Sequence, residues 1–172
     1  MFIQSQVNYI AKLVESVVIL EDTNAKVICF SPHYNDLDID EVRVYTVLQQ
    51  KVPQNVVDYF RLKGIYEKLR QKVGILETPA FPDINIGPRV AFPIHWEKEL
   101  VATLWFSNTS VGFVRKFEEE IAKTAEDIGR MLWLSSTTES MLIVKLLGYL
   151  KSINPGFLKE GFLVDAVRRM GF

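Results

Sequence analysis

Apolar residues recur at three- and four-residue steps at the start of the chain. Ile3, Val7, Ile10 or Ala11, and Val14 fall on one side, with Gln, Asn and Lys on the other. Residues 1–15 are therefore expected to form an amphipathic helix. The texture then changes. Residues 16–22 and 25–31 are short, β-branched runs joined by Thr23-Asn24, a pair with turn chemistry, and read as a β-hairpin. Pro32 ends the second strand. Asp36-Leu37-Asp38 caps a helix over residues 39–50, with Val42, Thr46 and Val47 on one side. Val52-Pro53 breaks it, and Pro53 suits the first turn of a helix over 54–63. Gly64 reads as a C-cap, and 65–72 as one more short helix. Three strands follow, over 74–78, 89–96 and 99–107, the last two turning at Glu97-Lys98. Pro93 points to an edge position or a bulge. Residues 113–134 form a long helix whose stripe is Phe113, Phe117, Ile121, Ala125, Ile128 and Leu132, opposite Glu118, Glu119, Lys123, Glu126 and Arg130. The polar run 135–138 is expected to break it, with helices over 139–151 and 157–170 beyond.

Helix, hairpin, inserted helices, three strands and long helix make an α+β chain. The expected architecture is an antiparallel sheet of five to six strands flanked by helices, of the GAF or PAS kind. The terminal helices cover one face and the inserted helices the other. The helix before the hairpin and the long helix after the last strand favour GAF over PAS. Two regions are expected: a sensor-like domain over 1–135, and a helical extension over 136–172 that begins a following domain or forms a linker.

Composition narrows the function. With 172 residues, 48% hydrophobic and 24% charged, the chain has material for a real core. One cysteine, Cys29, excludes a disulfide framework and a cysteine-rich zinc site within the chain. A net charge of −1 supplies no general attraction to nucleic acid or anionic membrane. No signal peptide or membrane-spanning run is evident, so a cytoplasmic location is expected. The mean hydropathy of +0.10 hints at a buried interface.

Five stretches together resemble the N-terminal GAF-like sensor region of PucR/CdaR-type bacterial transcription regulators. They are the hairpin Val17–Ser31; Leu37-Asp-Ile-Asp-Glu-Val-Arg43 leading to Lys51-Val-Pro53; Arg89-Val-Ala-Phe-Pro-Ile94; Glu99-Leu-Val-Ala-Thr-Leu-Trp-Phe106; and a tail with Met141-Leu-Ile-Val-Lys-Leu-Leu147, Asn154-Pro155 and Val164-Asp-Ala-Val-Arg-Arg-Met-Gly-Phe172. The resemblance covers most of the chain in order. It implies a small-molecule sensor and not an enzyme. DNA would be contacted only through a helix-turn-helix domain that this chain lacks, as a fragment cut inside the next domain would. The alternatives are a stand-alone GAF-like domain serving only protein association, an uncharacterised enzyme, and weak DNA binding by the C-terminal helices.

No nucleophile elbow, P-loop or dinucleotide fingerprint is present, so no catalytic residue, cofactor or metal is assigned. Cys29 between Ile28 and Phe30 reads as structural, and His33 and His95 lack metal-ligand spacing. The acidic cluster Asp36, Asp38, Asp40 and Glu41 reads as helix capping. A GAF-like effector pocket between the sheet and the inserted helices would draw on Tyr34, Arg43, Tyr45, Arg89 and Trp105. These residues offer aromatic area and guanidinium forks for an anionic or heterocyclic metabolite. The long helix outruns a small sheet, so Ile128, Met131, Leu132 and Trp133 are expected to pair with the same helix of a second copy in a homodimer.

Overall fold

A computed structural model describes the backbone of residues 2–31, 41–107 and 109–153, and side chains up to 138. Helix α1 (Phe2–Leu13) leads into the hairpin β1 (Val18–Asp22) and β2 (Val27–Ser31). Asp22 builds the turn: its Oδ1 accepts from the backbone N–H of Asn24 at 2.8 Å and of Lys26 at 2.9 Å. This is the local side-chain competition that makes Asp a turn residue. Three helices follow, α2 (Glu41–Gln49), α3 (Gln54–Leu62) and α4 (Ile65–Gln71). Strands β3 (Leu76–Thr78), β4 (Arg89–Trp96) and β5 (Glu99–Phe106) come next. A short turn of helix, α5 (Val111–Val114), is capped by Ser110, whose Oγ accepts from Phe113 N–H at 3.2 Å, and leads through Arg115–Phe117 into α6 (Glu118–Ile153).

The five strands form one antiparallel sheet in the order β2-β1-β5-β4-β3. It is the α+β arrangement expected from the alternating patterns, with helices inserted between the second and third strands. Strand alternation splits the side chains between two cores. Leu20, Phe92, Leu104 and Phe106 face α1 and α6, where Val7, Ile10, Ile121 and Ile128 meet them. Ala91 and Trp105 face the inserted helices with Val56, Phe60, Ile65 and Leu69. Helix α6 approaches β4 closely at Gly129, where a Cβ would lie 3.0 Å from Ile94 Cγ2.

One expectation changes here and another holds. The run Ser135–Thr138 does not break the helix: α6 continues through it to Ile153. Serine and threonine are tolerated there because no glycine or proline accompanies them, and Thr138 Oγ1 turns back to donate to Leu134 O at 2.8 Å. The edge position or bulge expected at Pro93 is borne out: β3 pairs only with Arg89–Ala91, so at Pro93 β4 has a strand on one side, and a bulge follows between Ile94 and His95. A proline fits both features.

By internal contacts the chain divides into two compact units, 1–133 and 134–172; in the second, α6 runs to Ile153 as the described element. Of the stripe expected to pair between copies, Ile128 is fully buried in the core with β4 and β5, and Leu132 packs against that core. Trp133 is half-buried and Met131 is 39% exposed. No described helix is long and apolar enough to cross a membrane.

Candidate ligand-binding site

The sheet face beneath α2–α4 is not purely apolar. The register puts Ile19 opposite Trp105 and Glu21 opposite Thr103, while Ala91 also pairs with Trp105 and Thr78 with Arg89. Glu21, Arg89, Thr103 and Trp105 therefore share a face, and α2 lowers Arg43 onto it. Arg43 is 2% exposed and Glu21 8%. A carboxylate this buried loses hydration, and that loss pushes Glu21 up to about 7. The nearby guanidinium groups of Arg43 and then Arg89 pull the other way, as does a hydrogen bond from Trp105, with Asp22 adding a little in the upward direction. Two guanidinium groups thus converge on one carboxyl whose ionisation burial holds back towards neutrality.

An aromatic layer ties this cluster to the inserted helices. The Phe60 ring lies 5.8 Å from Trp105, 5.5 Å from Phe81 and 6.2 Å from Tyr66. Tyr66 is half-buried, and its phenol is held above its ordinary range first by burial and then by the charge of Glu21. The same tyrosine lines a cleft of about 210 Å³ that opens between the β1–β2 turn and α3–α4, with Ala25 and Val57 in its wall.

The residues singled out from sequence divide accordingly. Arg43, Arg89 and Trp105 come together around Glu21. Tyr45 does not: it is 50% exposed on α2, two residues and about 200° around the helix from Arg43. Tyr34 and His33 lie outside the described residues, as do Asp36, Asp38 and Asp40. Glu21 was missed, although its alternation with Ile19 on a strand signals an inward position. The cleft residues on α3 and α4 carry no such signal. On the opposite sheet face Cys29 is half-buried, and burial pushes its thiol up to about 11, the setting of an inert cysteine. His95 Nε2 donates to Arg70 O at 3.1 Å, tying β4 to α4. Among the described residues no group of histidine, cysteine or acidic side chains is placed to hold a metal ion.

No protein-family model matches the chain, and no curated protein matches it. Solved structures similar to it include the blue-light-absorbing form of the PixJ GAF domain from Thermosynechococcus elongatus, at 17% identity over 81% of this chain and 89% of that one, with a TM-score of 0.47. Another is an IclR homologue from Microbacterium hydrocarbonoxydans complexed with 4-hydroxybenzoate, at 14% identity over 76% and 67%, TM-score 0.46. A third is the cofactor-binding GAF domain of the nutrient sensor CodY from Clostridium difficile, at 15% identity over 73% and 81%, TM-score 0.44.

Proposed function

We propose that this chain is the small-molecule-sensing, dimerising domain of a cytoplasmic bacterial transcription regulator of the PucR/CdaR type, with residues 1–135 as sensor and 136–172 as a helical extension. The observation that carries the sensing is the ionisable cluster of Glu21, Arg43 and Arg89 under the inserted helices. Burying charges is a poor way to stabilise a domain, because replacing a buried ion pair with apolar side chains is often neutral or stabilising. A cluster that adds little to packing is better accounted for by a ligand that it recognises. Arg43 stands on α2 and Arg89 on β4, so an effector that draws on both joins an inserted helix to the sheet that carries α6 on its other face. The exposed Met131 leaves apolar surface on α6 for a second copy.

The test is native mass spectrometry of the purified chain, followed by thermal shift against purines, sugar acids and amino acids. A ligand that binds only the folded state raises Tm increasingly with its free concentration L, the stabilisation growing as RT ln(1 + L/Kd). A discrete adduct or a shift that is lost in Arg43→Lys and Arg89→Gln, both still folded by circular dichroism, supports the reading. No adduct and no shift with any compound sinks it.

A further inference from the structure

The cleft beside Tyr66 has a chemistry of its own. Its lining carries three cations, Lys51, Arg61 and Arg70, against one carboxylate, Glu67. Thr23, Asn24 and Gln54 add hydroxyl and amide groups. The lining is thus rich in hydrogen-bond donors and more polar than apolar. We propose that this cleft binds a compact doubly charged oxyanion, a phosphate monoester or a dicarboxylate, a proposal that rests on the sensor reading and adds to it an anion site distinct from the Arg43–Arg89 cluster.

Three observations converge on it. First, the linker between α2 and α3 is stitched to the hairpin: Val27 N–H donates to Gln50 O at 3.0 Å and Val52 N–H to Ala25 O at 2.9 Å. This sets Lys51 directly opposite Lys26 in an antiparallel bridge. Like charges facing each other across a ladder are destabilising, and an anion between the turn and the linker relieves that repulsion. Second, the arginines are held ready but weakly engaged. Asp58 Oδ1 accepts from Arg61 Nη1 at 3.3 Å and from Gln54 Nε2 at 3.0 Å, which orders both donors at the rim. The Arg70–Glu67 pair spans 3.7 Å. Both ion pairs are more than half exposed, where solvent screens them and they contribute little, so an incoming oxyanion displaces them readily. Third, Tyr66 lines the cleft, and its ring lies 6.2 Å from Phe60, which in turn lies 5.8 Å from Trp105 on the sheet face that carries Glu21 and Arg89. A volume of about 210 Å³ limits the guest to a small metabolite.

The experiment is a titration of the 172-residue chain, followed by thermal shift and calorimetry at 50 and 300 mM NaCl. The probes are glycerol 3-phosphate and succinate, with glycerol and alanine as comparators lacking net charge. The exposed double variant Arg61→Ala/Arg70→Ala is set beside Lys63→Ala, a control cation that sits over Tyr59 and outside the cleft. The expected result is binding by at least one dianion. That binding weakens at high salt, falls roughly tenfold or more in the double variant and is unchanged in the control. The two dianions together report which source of charge is preferred. Binding of glycerol or alanine without the dianions, with the same loss in the double variant, overturns the oxyanion assignment and leaves the sensor reading standing. Dianion binding that the double variant retains overturns the cleft as its location. No binding by any probe overturns this proposal. If purified protein also carries no adduct and responds to no effector in the wider screen, the sensor reading falls with it.

Discussion

Replacing Glu21 with glutamine isolates the charge state of the buried cluster. In the unfolded chain this carboxyl titrates near 4.5, whereas in the fold it titrates near 7 because burial strips its hydration. Between these values the unfolded chain has released a proton that the native protein still holds. Stability therefore falls as pH rises across that window. The contribution is fully present below pH 4.5 and is lost as pH climbs through about 7. A displacement from 4.5 to about 7, at about 1.36 kcal/mol per pH unit, corresponds to about 3 kcal/mol. Glutamine has the shape of the protonated acid and keeps an acceptor for Trp105, but it cannot ionise. At pH 5 the variant and the parent are expected to be about equally stable. By pH 8 the variant is expected to be the more stable by up to about 3 kcal/mol, in spite of Arg43 and Arg89 losing their carboxylate. The assay is urea unfolding at four pH values from 5 to 8 on both proteins, compared as a difference so that all other titrating groups cancel. A difference that stays flat with pH would refute the reasoning. A difference of the opposite sign would mean that the guanidinium groups outweigh desolvation and that Glu21 is an ordinary ion-paired carboxylate.

Two further outcomes follow from the packing. Ile128→Ala should lose about 2–5 kcal/mol in urea unfolding because Ile128 is fully buried, whereas Met131→Ala, one helical turn on, should change monomer stability by less than about 0.5 kcal/mol. Met131→Ala should instead weaken any dimer seen by sedimentation, and equal stability losses at both positions would contradict the division of α6 into core and free face. Cys29, with its thiol pushed up to about 11, should react with a disulfide reagent at pH 7.5 at least about a hundredfold more slowly than a free thiol, and labelling at the free rate would show that its burial is illusory.

The layers of this fold are legible in the chain because burial imposes a period. Alternation in β1, β4 and β5 separates Leu20, Phe92 and Leu104 from Ile19, Ala91 and Trp105, and the four-residue stripe from Phe113 to Leu132 marks the side of α6 that meets the sheet. Polar residues are where reading fails, and it fails in both directions. Ser135–Thr138 looks like a boundary, but a hydroxyl in a helix can satisfy itself on the preceding turn, as Thr138 does on Leu134. Glu21 looks like the start of a polar turn because Asp22 and Thr23 follow it. Only the phase of the strand, counted from Ile19, puts it inside while Asp22 turns away to cap the backbone. Arg61 and Arg70 look like ordinary solvent-facing helix charges, and locally they are, each paired three residues away. What makes them a binding surface is the arrival of Lys51 and the hairpin turn beside them, fixed by backbone bonds from Val27 to Gln50 and from Val52 to Ala25. Those bonds depend on no side-chain pattern, since any residue other than proline can donate them. The core is therefore encoded locally in periodicity, while the site is encoded in how two loops are stitched together. Lys51→Ala, at an exposed position outside both cores, is consequently expected to weaken ligand recognition while leaving those backbone bonds and the fold intact.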